Sequence, residues 1–153
     1  MRRVLVILSL AMVAAACQQE SAPENGAPRP TPENAATGVT VATGMSDLGT
    51  ILSDADGRTL YLFLNDSGGE STCYDDCAAN WPALVTEGDP LAEGEADVTL
   101  LGTTERTDGG LQVTYNGNPL YYFAGDEAPG DTNGQGLIDA WYVVSPEGEP
   151  IRG

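Results

Sequence analysis

Short apolar segments separated by turn-forming residues run through residues 39–146. Gly, Asp, Asn and Pro recur every several residues between stretches rich in Val, Leu, Tyr and Thr. This pattern predicts an all-β domain whose strands are joined by tight turns. The predicted strands are residues 39–42, 50–53, 59–64, 98–101, 111–115, 120–124 and 140–144.

Two of these segments are apolar on both alternating faces. In residues 59–64, Tyr61 and Phe63 lie on one face and leucines on the other, which indicates a central strand covered on both sides. Residues 120–124 repeat the pattern. The residues between Cys73 and Trp81 favour one short helix, which Pro82 would end.

The second half of the domain repeats the first at an offset of 60 residues. Residues 57–66 and 117–126 share the positions of Gly, Leu, Tyr, Phe and Asp, and Trp81 corresponds to Trp141. Such repetition indicates one duplicated folding unit of about 60 residues. We expect repeat one at about residues 48–87 and repeat two at about 105–146. Residues 54–57 and 115–118 predict equivalent hairpin turns, and residues 88–94 a linker between the halves.

The N-terminus has the pattern of an export signal. Two arginines precede a mostly apolar segment, residues 4–13, which is too short to span a bilayer, and three alanines lead to Cys17. This ending resembles the lipobox of bacterial lipoproteins, which implies cleavage after residue 16 and acylation of Cys17. Gln18, in place of Asp, points to the outer membrane in a Gram-negative envelope. The alternative is ordinary secretion with Cys17 as a free thiol.

Composition indicates a tether followed by one domain. Residues 17–38 carry the Cys and a Pro-rich segment that cannot bury apolar surface and predicts an extended tether. Residues 39–153 then form one domain.

The charge of the chain limits its partners. The formal net charge is −17, with no Lys or His, so nucleic acid and anionic lipid headgroups are poor partners. The charge could attract cationic peptides, but it also serves solubility.

Three interpretations apply to Cys73 and Cys77. If Cys17 carries lipid, these two form the remaining pair, and a structural disulfide is the simplest. A copper site is the second, although such sites usually add His. A redox dithiol is the third, without a nearby cation to lower a thiol pKa.

The doubled aromatic motif has a structural and a functional interpretation. Tyr61, Phe63 and Asp66, like Tyr121, Phe123 and Asp126, fit an aromatic core followed by an Asp that caps a turn. Alternatively, the two aspartates bind a cation or partner. Asp131 and Asn133 are weak calcium candidates in a Gly-rich turn that lacks the bidentate Glu of an EF-hand.

No catalytic constellation stands out. Without His or Lys there is no Ser-His or Cys-His pair and no Schiff-base lysine, so we expect a protein that is not an enzyme and uses no cofactor.

The doubled motifs resemble a bacterial family, the secreted or lipoprotein repeat with a Tyr-x-(Phe/Trp/Tyr)-x-x-Asp motif. The likeness covers roughly residues 48–146, including the Cys pair, Trp81 and Trp141. Tyr142 stands where the family often has His, which puts an imidazole-dependent role in doubt. The resemblance implies an exported, membrane-anchored protein with no settled enzymatic activity.

Together these features predict an envelope lipoprotein that acts as a non-catalytic binding or structural module. The alternatives are metal or thiol-redox handling through Cys73 and Cys77, and capture of cationic peptides by the acidic surface. The oligomeric state stays open.

Overall fold

The computed structural model describes residues 37–153. The predicted signal peptide, Cys17 and nearly all of the tether lie outside this range. The described chain forms eight strands, one short helix and two 3₁₀ turns. The strands are β1 (Thr40–Ser46), β2 (Gly49–Asp54), β3 (Tyr61–Phe63), β4 (Leu91–Ala92), β5 (Leu101–Glu105), β6 (Leu111–Tyr115), β7 (Asn118–Tyr121) and β8 (Trp141–Val143). No helix within residues 37–153 is long and apolar enough to span a bilayer.

The strands form two sheets. The first has the order β2-β1-β4, in which β1 and β2 are an antiparallel hairpin and β4 runs parallel to β1. The second has the order β5-β6-β7-β3-β8 and is antiparallel throughout. The two are joined at one side, where Leu52 N donates to Val144 O at 2.8 Å. The predicted all-β fold is confirmed.

β3 is the central strand that its sequence predicts. It pairs with β7 on one side and β8 on the other, and Tyr61 is directly opposite Tyr121. Its alternating side chains enter two apolar clusters on opposite faces. One cluster contains Val41, Leu52, Leu60, Leu62, Leu84, Val113, Tyr115, Leu120 and Val144. The other contains Ile51, Tyr61, Cys73, Trp81, Tyr121, Ala140, Trp141 and Val143.

Both predicted turns form at the expected places. Asn116 and Gly117 have φ angles of 49° and 76°, the left-handed conformation that a two-residue hairpin between β6 and β7 requires. In repeat one, Asp54 Oδ1 accepts hydrogen bonds from the backbone N–H of Asp56 and Arg58, both at 2.9 Å. The predicted short helix is α1 (Asp76–Asn80), which ends before Pro82.

One predicted strand is wrong. Residues 98–101 do not form a strand, because Asp97 accepts hydrogen bonds from Thr99 N and Oγ1 and caps a 3₁₀ turn over Val98–Leu100. The strand β5 starts only at Leu101. Residues 88–94, predicted as a linker between the halves, also contain the short strand β4. Leu91 N donates to Val39 O and Glu93 N to Val41 O, both at 2.9 Å.

Candidate functional site

The Tyr and Asp of the doubled motif form hydrogen bonds between the two repeats. Tyr61 Oη donates to Asp126 Oδ2 at 2.7 Å, and Tyr121 Oη donates to Asp66 Oδ2 at 2.6 Å. Each tyrosine therefore bonds to the aspartate of the other repeat. Tyr61 and Tyr121 are directly opposite each other in the antiparallel pair of β3 and β7, so each tyrosine lies beside the strand from which the other repeat's aspartate follows.

The second oxygen of each aspartate holds the loop of its own repeat. Asp66 Oδ1 accepts hydrogen bonds from Thr72 N at 2.8 Å and Thr72 Oγ1 at 2.6 Å. Asp126 Oδ1 accepts a hydrogen bond from Asn133 N at 2.9 Å. Both carboxylates thus use both oxygens within the domain. This arrangement is the one expected of a turn-capping residue.

Burial sets the protonation of this cluster. It is the main cause that raises the pKa of Tyr61 and Tyr121 above the ordinary tyrosine range, and the adjacent carboxylate adds to it. Burial also raises the pKa of Asp126, although hydrogen bonds from Tyr61 and Asn133 oppose the shift. The tyrosines consequently stay neutral donors at physiological pH.

Four aromatic rings form one continuous stack beside these hydrogen bonds. The rings of Trp81 and Trp141 are parallel within 2°, with centroids 3.8 Å apart. Phe63 stacks on Trp141 at 4.1 Å, and Phe123 lies against Trp81 at 4.6 Å. Each phenylalanine therefore contacts the tryptophan of the other repeat. The aromatic residues of the motif hold the two repeats together.

The disulfide prediction is confirmed. Cys73 and Cys77 are joined by an S–S bond with their Cα atoms 5.2 Å apart, and Cys73 is fully buried. The bond fixes α1 to the loop before it. In this oxidised form neither sulfur is a free thiolate for a metal or for disulfide exchange.

A buried arginine that the sequence analysis did not single out lies next to this disulfide. The guanidinium of Arg106 donates to Asp108 at 2.9 Å, Gln112 Oε1 at 2.8 Å, Ser71 Oγ at 3.0 Å and Cys73 O at 3.1 Å. Ser71 Oγ in turn lies 2.7 Å from Tyr121 Oη. No spacing pattern marks such a residue, because its partners come from separate segments. The sequence offers one clue to Arg106: arginine is rare in so acidic a chain.

The weak calcium candidates take part in a hydrogen-bonded turn. Asp131 Oδ2 accepts hydrogen bonds from Glu127 N at 3.0 Å and Ala128 N at 2.9 Å, and Asn133 Nδ2 donates to Gly125 O at 3.2 Å. Among residues 37–153, no three His, Cys, Asp or Glu side chains are grouped as metal ligands.

A groove of about 750 Å³ is lined by both apolar and acidic side chains. The apolar lining residues are half-buried and the carboxylates are exposed. The apolar residues are Leu48, Leu100, Pro146 and Ile151, and the carboxylates are Glu95, Asp97 and Glu147. Hydrogen bonds from Thr99 lower the pKa of Asp97, and one from Ser145 lowers the pKa of Glu147. We call this feature the acidic groove.

The two walls of the acidic groove are tied by one buried side chain. Tyr115 Oη accepts a hydrogen bond from Asp97 N and donates one to Pro146 O, both at 2.7 Å. The groove is therefore held by the core and does not depend on a loop that must order on binding.

The protein is a duplicated all-β domain. Its two halves are held together by contacts between the motif side chains of one half and those of the other. The profile of a family described as a secreted repeat of unknown function matches residues 42–85 and 102–145. The chain belongs to this family of secreted repeats. Neither the curated proteins nor the solved structures contain a match.

Proposed function

We propose that this chain is a non-catalytic, lipid-anchored module of the cell envelope that binds basic segments of partner proteins or peptides. Membership of a secreted family supports the envelope location. The lipobox-like residues before Cys17 support a lipid anchor, and Gln18 favours the outer membrane. Membrane contact would come through the lipid, because the acidic surface repels anionic headgroups and nucleic acid.

The positions of the polar residues support a non-catalytic role. The chain has no His or Lys, and the Tyr and Asp of the motif are bonded to each other across the core. A general acid or base must reach a substrate proton, whereas Tyr61 and Tyr121 are fully buried. The motif thus supports a structural role.

Each arginine of residues 37–153 lies over a tyrosine ring. Residues 37–153 contain three arginines and no lysine. Arg58 lies 4.1 Å from the ring centroid of Tyr122, Arg106 4.5 Å from that of Tyr74, and Arg152 5.3 Å from that of Tyr142. The acidic side chains are left with few internal counterions, and this excess favours a cationic partner.

The acidic groove is the observation that carries the proposal. It combines half-buried apolar side chains with three exposed carboxylates, and hydrogen bonds lower the pKa of two of these, Asp97 and Glu147. A segment with alternating basic and apolar side chains matches both properties. The disulfide, which leaves no free thiolate, gives the metal and redox alternatives no comparable support.

The experiment uses the mature chain with Cys17→Ser, exported to a periplasm behind a cleavable signal. Calorimetry would measure its affinity for acetyl-Lys-Val-Lys-Val-Lys-Val-amide at low and high salt. We expect Glu95→Gln with Glu147→Gln to weaken binding about fivefold, since each exposed ion pair contributes about 0.2–1 kcal/mol. Added salt should weaken it further because it screens exposed charges.

The matched control removes two carboxylates from another part of the surface, through Glu70→Gln with Glu127→Gln. This variant has the same net charge as the groove variant, so it should bind as the parent chain does. Equal losses in both variants would reduce the proposal to a general charge effect. No binding at low salt would overturn it.

A further inference from the structure

The internal duplication gives β1 a counterpart in β5, and the two strands differ in their surroundings. β1 and β5 are the first strands of the two repeats, and each forms a hairpin with the next strand. β4 covers the outer edge of β1. β5 is the outermost strand of its sheet, and within residues 37–153 no strand pairs with its outer edge.

The hydrogen-bonding groups along this edge follow from the register of β5 on β6. Arg106 N donates to Gly110 O at 2.8 Å, and Thr104 is opposite Gln112. Because inward and outward groups alternate along a strand, the backbone N–H and C=O of Thr103 and Glu105 point away from β6. The backbone bonds described for residues 37–153 include no partner for these outward groups.

The covered edge of β1 shows what this surface can accept. There Val41 O and Val39 O accept hydrogen bonds from Glu93 N and Leu91 N, and a two-residue strand is enough to pair. Leu101, at offset 60, is the counterpart of Val41. Its carbonyl group faces the same outer side, beside a smaller groove of about 230 Å³ lined in part by Pro90, Val98 and Thr103.

Two features describe the occupant. Val98 is exposed at 64 % and Leu101 is half-buried, so the side chains beside the edge are partly apolar. Asp89 lines the smaller groove and Glu105 ends the strand, so the flanking charges are negative. A second copy of so acidic a chain is repelled, whereas a basic partner segment is attracted.

The acidic groove and the open edge are adjacent along the chain. Leu100 lines the acidic groove, and Leu101 is the first residue of β5. We propose that a basic segment bound in the acidic groove continues along β5 as an added strand, whose backbone bonds to Leu101, Thr103 and Glu105. This inference rests on the proposed function and states how the partner's main chain is held.

Strand addition has a signature that charge attraction lacks, since it needs backbone N–H groups on both sides. The first test compares the Lys-Val hexapeptide with the same peptide N-methylated at four consecutive residues, which keeps the side chains and removes donors from both peptide edges. We expect methylation to weaken binding at least about tenfold, the effect of one or two lost hydrogen bonds. Hydrogen exchange of Thr103 N and Glu105 N should slow only with the unmethylated peptide.

A pair of protein variants tests the same contact from the other side. Thr103→Pro removes an outward N–H without touching the ladder to β6, so the fold should tolerate it as edge strands tolerate proline. We expect about tenfold weaker binding. Thr103→Val changes the side chain but keeps the N–H, and should bind like the parent chain.

The outcomes separate this inference from the function on which it rests. Binding that depends on Glu95 and Glu147 but ignores both methylation and Thr103→Pro would overturn strand addition and leave the proposed function intact. An equal loss in Thr103→Pro and Thr103→Val would also overturn it. No binding by any peptide would overturn both.

Discussion

The two repeats agree in the motif residues at their interface and differ in other parts of the chain. At the offset of 60 residues, the Tyr61–Asp126 hydrogen bond corresponds to the Tyr121–Asp66 hydrogen bond. The Phe63–Trp141 ring contact likewise corresponds to the Phe123–Trp81 contact. Outside this shared core, only repeat one has the disulfide, only repeat two has Arg106, and only β1 has a strand on its outer edge.

The shared motif residues and the features found in one part of the chain lie in different places. Residues kept in both copies pack against their counterparts at the interface between the repeats. The acidic groove is lined by residues outside the shared motif, and the open strand edge belongs to β5 of repeat two. The symmetric part and the asymmetric parts therefore make separate predictions.

The largest expected effect comes from the shared tryptophan stack. Trp81 and Trp141 are 6 % and 2 % exposed, so Trp81→Ala and Trp141→Ala should each lower the free energy of unfolding by about 3–5 kcal/mol. Urea titration followed by circular dichroism measures the change. Ile138→Ala, at a side chain 77 % exposed, should stay within about 0.5 kcal/mol. A small loss for one tryptophan and a large loss for the other would contradict the equivalence of the repeats.

Removal of Arg106 tests an element that repeat one lacks. Arg106→Met leaves Gln112 Oε1, Ser71 Oγ and Cys73 O without their donor, and we expect a loss of about 3 kcal/mol. Arg152→Met, which removes an exposed arginine, is the matched control and should change stability by less than about 0.5 kcal/mol. Equal small effects would show that the Arg106 network is dispensable.

Alkaline pH should weaken the core where the repeats exchange hydrogen bonds. Tyr61 and Tyr121 have a raised pKa in the folded state, whereas unfolded tyrosine loses its proton near pH 10. Their contribution is therefore complete below pH 10 and is lost as the pH rises above it. Each should remove about 1.4 kcal/mol of stability per pH unit.

Unfolding by urea at several pH values between 9 and 11 measures this slope. The pKa values of Tyr115 and Tyr122 are raised by burial as well, so their protons also contribute to the slope. Tyr61→Phe eliminates one of these protons and should reduce the slope by about 1.4 kcal/mol per pH unit. A slope that is the same in the variant and the parent chain would show that Tyr61 ionises equally well in both states.

Reduction of the disulfide should have a smaller effect, confined to repeat one. The bond closes a loop of only a few residues, which corresponds to about 2 kcal/mol. The double variant Cys73→Ala with Cys77→Ala should show this loss without reductant, and reductant should then have no further effect. Continued sensitivity of that variant to reductant would assign the effect to something other than this bond.

Sequence predicted the parts of the fold that depend on local chemistry. The Asp-Gly and Asn-Gly turns, the short helix before Pro82 and the doubled aromatic strands all have local signals. The cap at Asp97 also has one, since Asp two residues before Thr99 favours a turn, but its neighbouring apolar residues suggested a strand.

Other features depend on contacts far apart in the chain. β4 has only two residues and forms because β1 offers it an edge, which composition cannot reveal. The repeat offset shows that Tyr61 corresponds to Tyr121, but only the pairing of β3 with β7 brings each tyrosine to the other repeat's aspartate. Arg106 likewise bonds to Ser71 and Cys73, which lie 35 and 33 positions away, as well as to Gln112.

The central claim is that the Tyr–Asp pairs hold the repeats together while binding occurs elsewhere. Its most direct test measures both the unfolding free energy and the peptide affinity of Tyr61→Phe and Tyr121→Phe. We expect each variant to lose about 2 kcal/mol of stability, the value of a buried hydrogen bond to a charged group. The dissociation constant should change by less than about twofold, because distant sites act independently. Unchanged stability with binding weakened about tenfold would instead make the motif part of the binding site.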